Sequence, residues 1–416
     1  MKHISPLKNV VQEYAWGSYT AIPELMGNPS PSENPQAELW MGAHPKAPSS
    51  VHMDNRWLSL EEVIKKDPIT ILGKSVAEKF NNRLPFLFKV LAAEKPLSIQ
   101  AHPNRTQAIA GFEKENRLGI PFEASDRNYK DNNHKPECIC ALTPFWALNG
   151  FRSIREIISG IKDCCPKGLE KERRLLERNP TDDGLKRFFK SLMMLNPDKK
   201  TKIIEEALSV AEKHREKDAA YDWMIRLHQA YPSDIGIISP IILNLILLLP
   251  GQAMFLPSGQ LHAYLNGLGM ELMANSDNVL RGGLTPKHVD VEELLKVLRF
   301  KQSKGTIHSP GPESKLEYLY PSDAEEFVLS VISIKKGDVF ESNELSGVEI
   351  LFCSTGSARI KSVAEKEFIT LNQGASAVIS AAARKYSIEG DATIYKAAVP
   401  ITAYSIHSAL ADNRET

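Results

Sequence analysis

The sequence predicts a mainly β protein interrupted by a block of amphipathic helices. Three observations point that way. Short apolar runs separated by Pro, Gly and Asn clusters fill the first 151 residues, the periodicity then changes to a helical one, and evenly punctuated strands return after Glu325.

Leu84–Ala93 and Cys138–Ala141 are the clearest strands of the first region, each bounded by turn-forming residues. Between 152 and 232, Leu185, Phe188, Phe189 and Leu192 recur at i, i+3, i+4 and i+7, and Ile204, Ala207, Leu208 and Ala211 repeat that spacing. Charged residues lie between them, as on solvated helix faces. From 233 to 300 strand-like text returns (PGQAMFLPSGQLHAYL) and closes on a helix-like VEELLKVLRF. Residues 301 to 324 are rich in Ser, Gly, Pro and charge and read as a linker or excursion. The segments beyond, such as VEILFCSTGSARI and KYSIEGDATIYKAAV, read as an antiparallel sandwich or barrel reaching to 416. The expected divisions are therefore 1–151, a helical insertion at 152–232, 233–300 completing the first β-unit, and 301–416.

The chain has 416 residues and balanced charge, with Lys+Arg 51 and Asp+Glu 51. That length implies two or three domains, and the balance argues against nucleic-acid partners. Five cysteines without framework spacing read as buried thiols of a cytosolic protein. The N-terminal MKHISPLKNVVQEYAWG lacks the apolar core of a signal peptide. The apolar stretch from Ile235 to Leu249 is too short for a membrane span and is broken by Ser239, Pro240 and Asn244, so a buried helix or strand pair is expected there. A cytoplasmic protein without membrane contact follows.

Three segments carry chemistry. In KPLSIQAHPNRTQ (95–107), an extended chain from Ser98 to His102 puts Ser98, Gln100 and His102 on one face, an edge that can offer two metal ligands. A strand end with a chance histidine reads equally well. In YKDNNHKPECIC (129–140), Lys135 and Glu137 share a face. They can form a plain ion pair, but the apolar run that follows makes Glu137 the first inward residue of a buried strand, and buried carboxylates need a cation. In the segment 257–290, His262 lies in LHAYL, Glu271 and Asp277 follow, and Arg281 beside two glycines leads to Lys287, a loop suited to an anionic ligand or simply to surface cations.

Together these segments resemble type I phosphomannose isomerases, zinc enzymes of the cupin superfamily. The resemblance runs through Tyr14-Ala15-Trp16-Gly17, AELWMGAHPKAPS (37–49), LPFLFKVLAAEKPLSIQAHPN (84–104), HKPE, ALNGFR and the block from His262 to Lys287. It covers most of residues 1 to 300; the C-terminal third matches only in its β-pattern, and FLPSGQLHAYL is less polar before its histidine than the family pattern.

The resemblance implies a catalytic cupin barrel, split by the helical insertion, and a C-terminal cupin-like barrel. It implies one Zn2+ per chain on Gln100, His102, Glu137 and His262, with no second metal in the C-terminal barrel. It places Ser98, Lys89, Lys135, Arg281 and Lys287 against substrate, with Glu271, Asp277 and His44 lining the pocket. The implied reaction interconverts mannose 6-phosphate and fructose 6-phosphate through a cis-enediol, feeding mannose catabolism or GDP-mannose synthesis, in a chain expected to be a monomer. Arg281 is expected to stabilise the anionic intermediate and one of Lys135 or Glu271 to move the proton; a lysine near zinc and other cations would have a lowered pKa. Lys287, Asp277 and His134 are rivals for that proton. A cupin dioxygenase and a non-catalytic sugar-phosphate sensor are the alternatives; the amide of Gln100 and the surrounding cations speak against the first.

Overall fold

The computed structural model describes residues 3–53, 55–345, 347–363 and 368–400. Two large antiparallel sheets dominate it, and a cluster of helices covers one of them. The fold is mainly β, of the cupin type, with its main block of helices between β-regions.

The first sheet is organised around the long strand His262–Ala274, which pairs with Phe86–Ala93 and Glu137–Ala141 along its C-terminal half. Its N-terminal half pairs with Ile99–Ala101 and Phe145–Phe151. Glu38–Gly42 extends the sheet beyond Phe86–Ala93. The second sheet contains the long strands Glu349–Ser362 and Tyr386–Ala398. It also contains Ile4–Lys8, which pairs with Ser376–Ile379 on one side and Ser50–Met53 on the other, so the first strand of the chain joins strands from its far end.

Strand parity explains how the two sheets meet. Phe86, Phe88, Val90 and Ala92, with Cys138, Cys140, Met270 and Leu272, face a core shared with Phe327, Leu329, Ile350 and Phe352 of the second sheet. The intervening residues turn the other way: Leu87 and Met273 join Trp40 in one small cluster, and Leu91, Ile139 and Leu256 join another. Burial on both sides is why Phe86–Ala93 reads as a continuous apolar run, and Lys89 is the one charge within it. A second parity applies where helices pack. Ile99, Ala101, Ala263 and Leu265 belong to a core with Ile157, Phe189 and Trp223. Gln100, His262 and Tyr264 therefore face away from the helices.

The helical block runs from Ile154–Cys164 to Ala219–Ala230. Asp182–Met193 buries Leu185, Phe188, Phe189 and Leu192, and the Thr181 side chain caps it by accepting from the Gly184 amide. The apolar stretch before Pro250 is a short helix, Ser239–Ile242, running into the strand Leu243–Leu248. Among the described residues no helix is long and apolar enough to cross a membrane. Part of the stretch expected as linker or excursion is ordered: Glu317–Leu319 pairs with the next strand, Val328–Ile334, a pairing that its Ser- and Pro-rich surroundings conceal. All five cysteines are free and buried, and burial pushes the Cys140 thiol up to about 11.

Candidate metal centre and substrate pocket

His102, Glu137 and His262 come from three separate strands or strand ends, yet one potential ligand atom from each lies within 4.8 Å of the others. His102 Nε2 is 3.3 Å from Glu137 Oε1, and His262 Nε2 is 3.2 Å from Glu137 Oε2. All three side chains are buried. The opposite ring nitrogens are fixed: His102 Nδ1 lies 2.7 Å from the Asn278 carbonyl oxygen and His262 Nδ1 lies 3.0 Å from that of Gln260. A carbonyl only accepts, so each Nδ1 carries the proton and donates, and each Nε2 presents a lone pair. Both Nε2 atoms and Glu137 Oε2 are buried without a hydrogen-bond partner. Leaving three such atoms facing one another is costly unless a cation joins them.

Gln100 stands beside this trio by register. It lies directly opposite His262 on one side and opposite Arg281 on the other. Cross-strand partners share a face, so amide, imidazole and guanidinium all originate on the face away from the helices. The strand Ile99–Ala101 is shorter than the extended stretch Ser98–His102 read from the sequence; Ser98 and His102 flank it. Two imidazoles, a carboxylate and an amide oxygen form a donor set that suits zinc.

A second polar group surrounds this centre. Lys135 Nζ is 3.0 Å from Glu137 Oε1. Lys89 Nζ is 2.9 Å from Glu271 Oε2 and 3.5 Å from Glu38 Oε1, and Trp40 Nε1 donates to Glu38. Burial raises the Glu271 carboxyl above the usual range, against the opposing pull of Lys89. His44 packs edge-on against Trp40, with Nε2 3.7 Å from Asp277 Oδ1, while Lys46 Nζ sits 2.9 Å from Asp277 Oδ2. Burial holds the His44 imidazole below 6.5, partly offset by Asp277. Arg281 is half-buried, and desolvation lowers it. Lys287 is exposed and is lowered by desolvation and then by the Arg281 charge, so the two cations are near enough to repel. Neither makes an ion pair among the described residues, leaving both able to hold an anion.

His134, a rival for proton transfer, is engaged elsewhere: its Nε2 lies 2.7 Å from Glu326 Oε1. Sequence reasoning missed Glu38, Trp40 and Lys46, although all three lie in AELWMGAHPKAPS, where a carboxylate, an indole and an ammonium alternate with apolar residues. It also missed Asn278, whose amide donates to the Asp131 and Asn133 carbonyls and accepts from the Lys130 amide, tying the loop before Glu137 to the backbone that holds His102. Only the tertiary fold reveals that role.

Residues 4–154 match the family model for the phosphomannose isomerase type I catalytic domain. The mannose-6-phosphate isomerase of Escherichia coli (strain K12) is 42% identical over 390 residues, spanning 92% of this chain and 96% of that protein. The chain belongs to the type I phosphomannose isomerase family. The mannose-6-phosphate isomerase of Homo sapiens is 37% identical over 347 residues, 76% of this chain and 78% of its own. The crystal structure of mannose 6-phosphate isomerase from Salmonella typhimurium bound to fructose 6-phosphate and zinc superposes with a TM-score of 0.88 at 37% identity, covering 96% of this chain and all of that one.

Proposed function

We propose that the chain is a zinc-dependent aldose–ketose isomerase interconverting mannose 6-phosphate and fructose 6-phosphate. The observation that carries this reading is the trio of buried, unpartnered ligand atoms on His102, Glu137 and His262. Arg281 and Lys287, which make no ion pair among the described residues, and the relatives' activity and ligands support it.

Gln100, His102, Glu137 and His262 would hold the zinc, which supplies Lewis-acid stabilisation for negative charge developing on the sugar oxygens. Arg281, opposite Gln100 in the sheet, adds a fixed positive charge beside the same region. Lys287, exposed beyond Arg281, and the Ser98 hydroxyl hold the phosphate, whose binding energy positions the distant C1 and C2. Lys89 is less suited to phosphate, because its charge is committed to Glu271 and Glu38. It instead fixes Glu271, the carboxyl whose raised pKa suits moving a proton between C2 and C1. Lys135 remains beside Glu137 as a positive charge facing the substrate oxygens, and Asp277 and His44 shape the sugar pocket.

We further propose that the chain acts as a cytoplasmic monomer, with the domain division at 152, 233 and 301 modified by the exchange of Ile4–Lys8 into the C-terminal sheet. The deciding experiment is an assay coupling fructose 6-phosphate formation to a chromogenic dehydrogenase, run after chelation and again after zinc is restored. Activity should vanish and return; absence of turnover with zinc, manganese, cobalt or nickel would overturn the reading.

A further inference from the structure

Glu326 lies outside the pocket, at the entry to Val328–Ile334 of the second sheet, and its carboxylate is 1% exposed. One oxygen, Oε1, receives Arg105 Nη2 at 2.5 Å and His134 Nε2 at 2.7 Å, and those two nitrogens are 3.1 Å apart. Arg105 opens the helix Arg105–Arg117 and stands three residues after His102. His134 stands three residues before Glu137. The next residue, Phe327, is fully buried in the core between the sheets, beside Phe86, Phe88 and Cys138. The carboxylate is thus anchored on packed structure, while it grips the first residue of a helix and a connecting loop.

We propose that Glu326 is a positioning residue for the metal centre, bracketing from the C-terminal sheet the two segments that carry His102 and Glu137. The inference rests on reading those two side chains as ligands. Three buried atoms must converge on one point from separate strands, and the spread of His102 relative to Glu137 is set by how the turn after one and the loop before the other are held. A charged acceptor shared by an arginine and a histidine is a strong tether, because both hydrogen bonds are charge-assisted. Burial alone would raise the Glu326 carboxyl, yet the His134 hydrogen bond and the Arg105 charge draw it below the usual range, as expected of an engaged carboxylate. The C-terminal sheet then has a role beyond covering apolar surface: it fixes the separation of two ligand-bearing segments.

The test uses the full-length, zinc-loaded protein and follows zinc transfer to a colorimetric chelator, together with kcat and KM for mannose 6-phosphate. Glu326→Ala should release zinc about tenfold faster and lower kcat about tenfold, with KM changed less than about threefold, in keeping with the effects of supports lying outside a ligand shell. Arg105→Met, which removes one arm from a partly exposed position and serves if Glu326→Ala fails to fold, should move both quantities the same way by a smaller factor. Glu349→Gln is the control for lost stability, since Glu349 is buried against Lys396 and Tyr386 within the second sheet. Release rates and kcat in the Glu326 and Arg105 variants no different from those of Glu349→Gln would overturn the proposal. His102→Ala, run in parallel, separates the two levels. If it still holds one zinc, the ligand reading fails and the bracket with it; if it loses zinc while the Glu326 and Arg105 variants match the control, the bracket alone fails.

Discussion

Lys89 faces Glu271 directly across the pairing of Phe86–Ala93 with His262–Ala274, and its Nζ lies 2.9 Å from Glu271 Oε2. Both side chains are almost wholly buried, and Glu38 approaches the same ammonium from the neighbouring strand. Breaking such a pair by removing one partner leaves a charge without compensation in a poorly solvated site. Lys89→Met should therefore destabilise the zinc-loaded protein by about 3–5 kcal/mol, measured by urea unfolding at neutral pH. A loss below about 1 kcal/mol would show that Glu271 and Glu38 do not depend on Lys89, and the positioning role given to Lys89 would fall.

The metal centre makes a separate prediction, because its unpartnered atoms are specific. Glu137→Ala removes the carboxylate that lies between both histidines, and His262→Ala removes one Nε2 donor. Each variant, dialysed against metal-free buffer, should retain far less than one zinc per chain by elemental analysis, whereas Lys135→Met should keep its zinc. Full zinc content in Glu137→Ala would remove that residue from the ligand set. Lys135→Met also tests proton transfer: with zinc bound, near-normal turnover would leave Glu271 as the proton carrier.

Arg281 and Lys287 should separate in their kinetics. Lys287 is exposed at the outer end of the pair, where a phosphate can be held without touching the reacting carbons. Lys287→Met should raise KM for mannose 6-phosphate about tenfold to a hundredfold, as loss of one charge-assisted contact does, with kcat changed little. Arg281, in register with Gln100, should instead lower kcat when changed to Met. If Arg281→Met altered only KM, its place would be at the phosphate and not at the reacting end.

The parts of this arrangement that were legible in the sequence were those with local periodicity. Gln100 and His102 alternate on one short segment, and Glu137 begins a run of buried strand residues, so facing direction follows from spacing. The helix Asp182–Met193 was legible for the same reason. What could not be read depends on which strands meet. Nothing near Ile4–Lys8 shows that it pairs with Ser376–Ile379, and nothing near Glu326 shows that it reaches Arg105 and His134. Lys89 was expected at the substrate because the family resemblance places it there; only the register with Glu271 shows that its charge is also engaged within the protein.

His44 provides the pH dependence. It is buried against Trp40, its Nδ1 accepts the Lys46 amide proton, and burial holds its folded pKa below 6.5. The unfolded chain therefore takes up this proton first as pH falls. The stability contributed by the neutral imidazole is complete above about pH 6.5 and declines from there toward the lower folded value. His44→Gln keeps a polar side chain but removes the titration. Between pH 8 and pH 5 the melting temperature of the wild type should fall more than that of His44→Gln, the two curves separating at about the unfolded histidine value. Parallel curves across that interval, measured with zinc saturating at each pH, would show that His44 does not titrate differently in the folded and unfolded chain. The same comparison on kcat/KM tests the pocket: protonation of His44 would add positive charge beside Asp277, so its removal should flatten the acidic limb without moving the alkaline one.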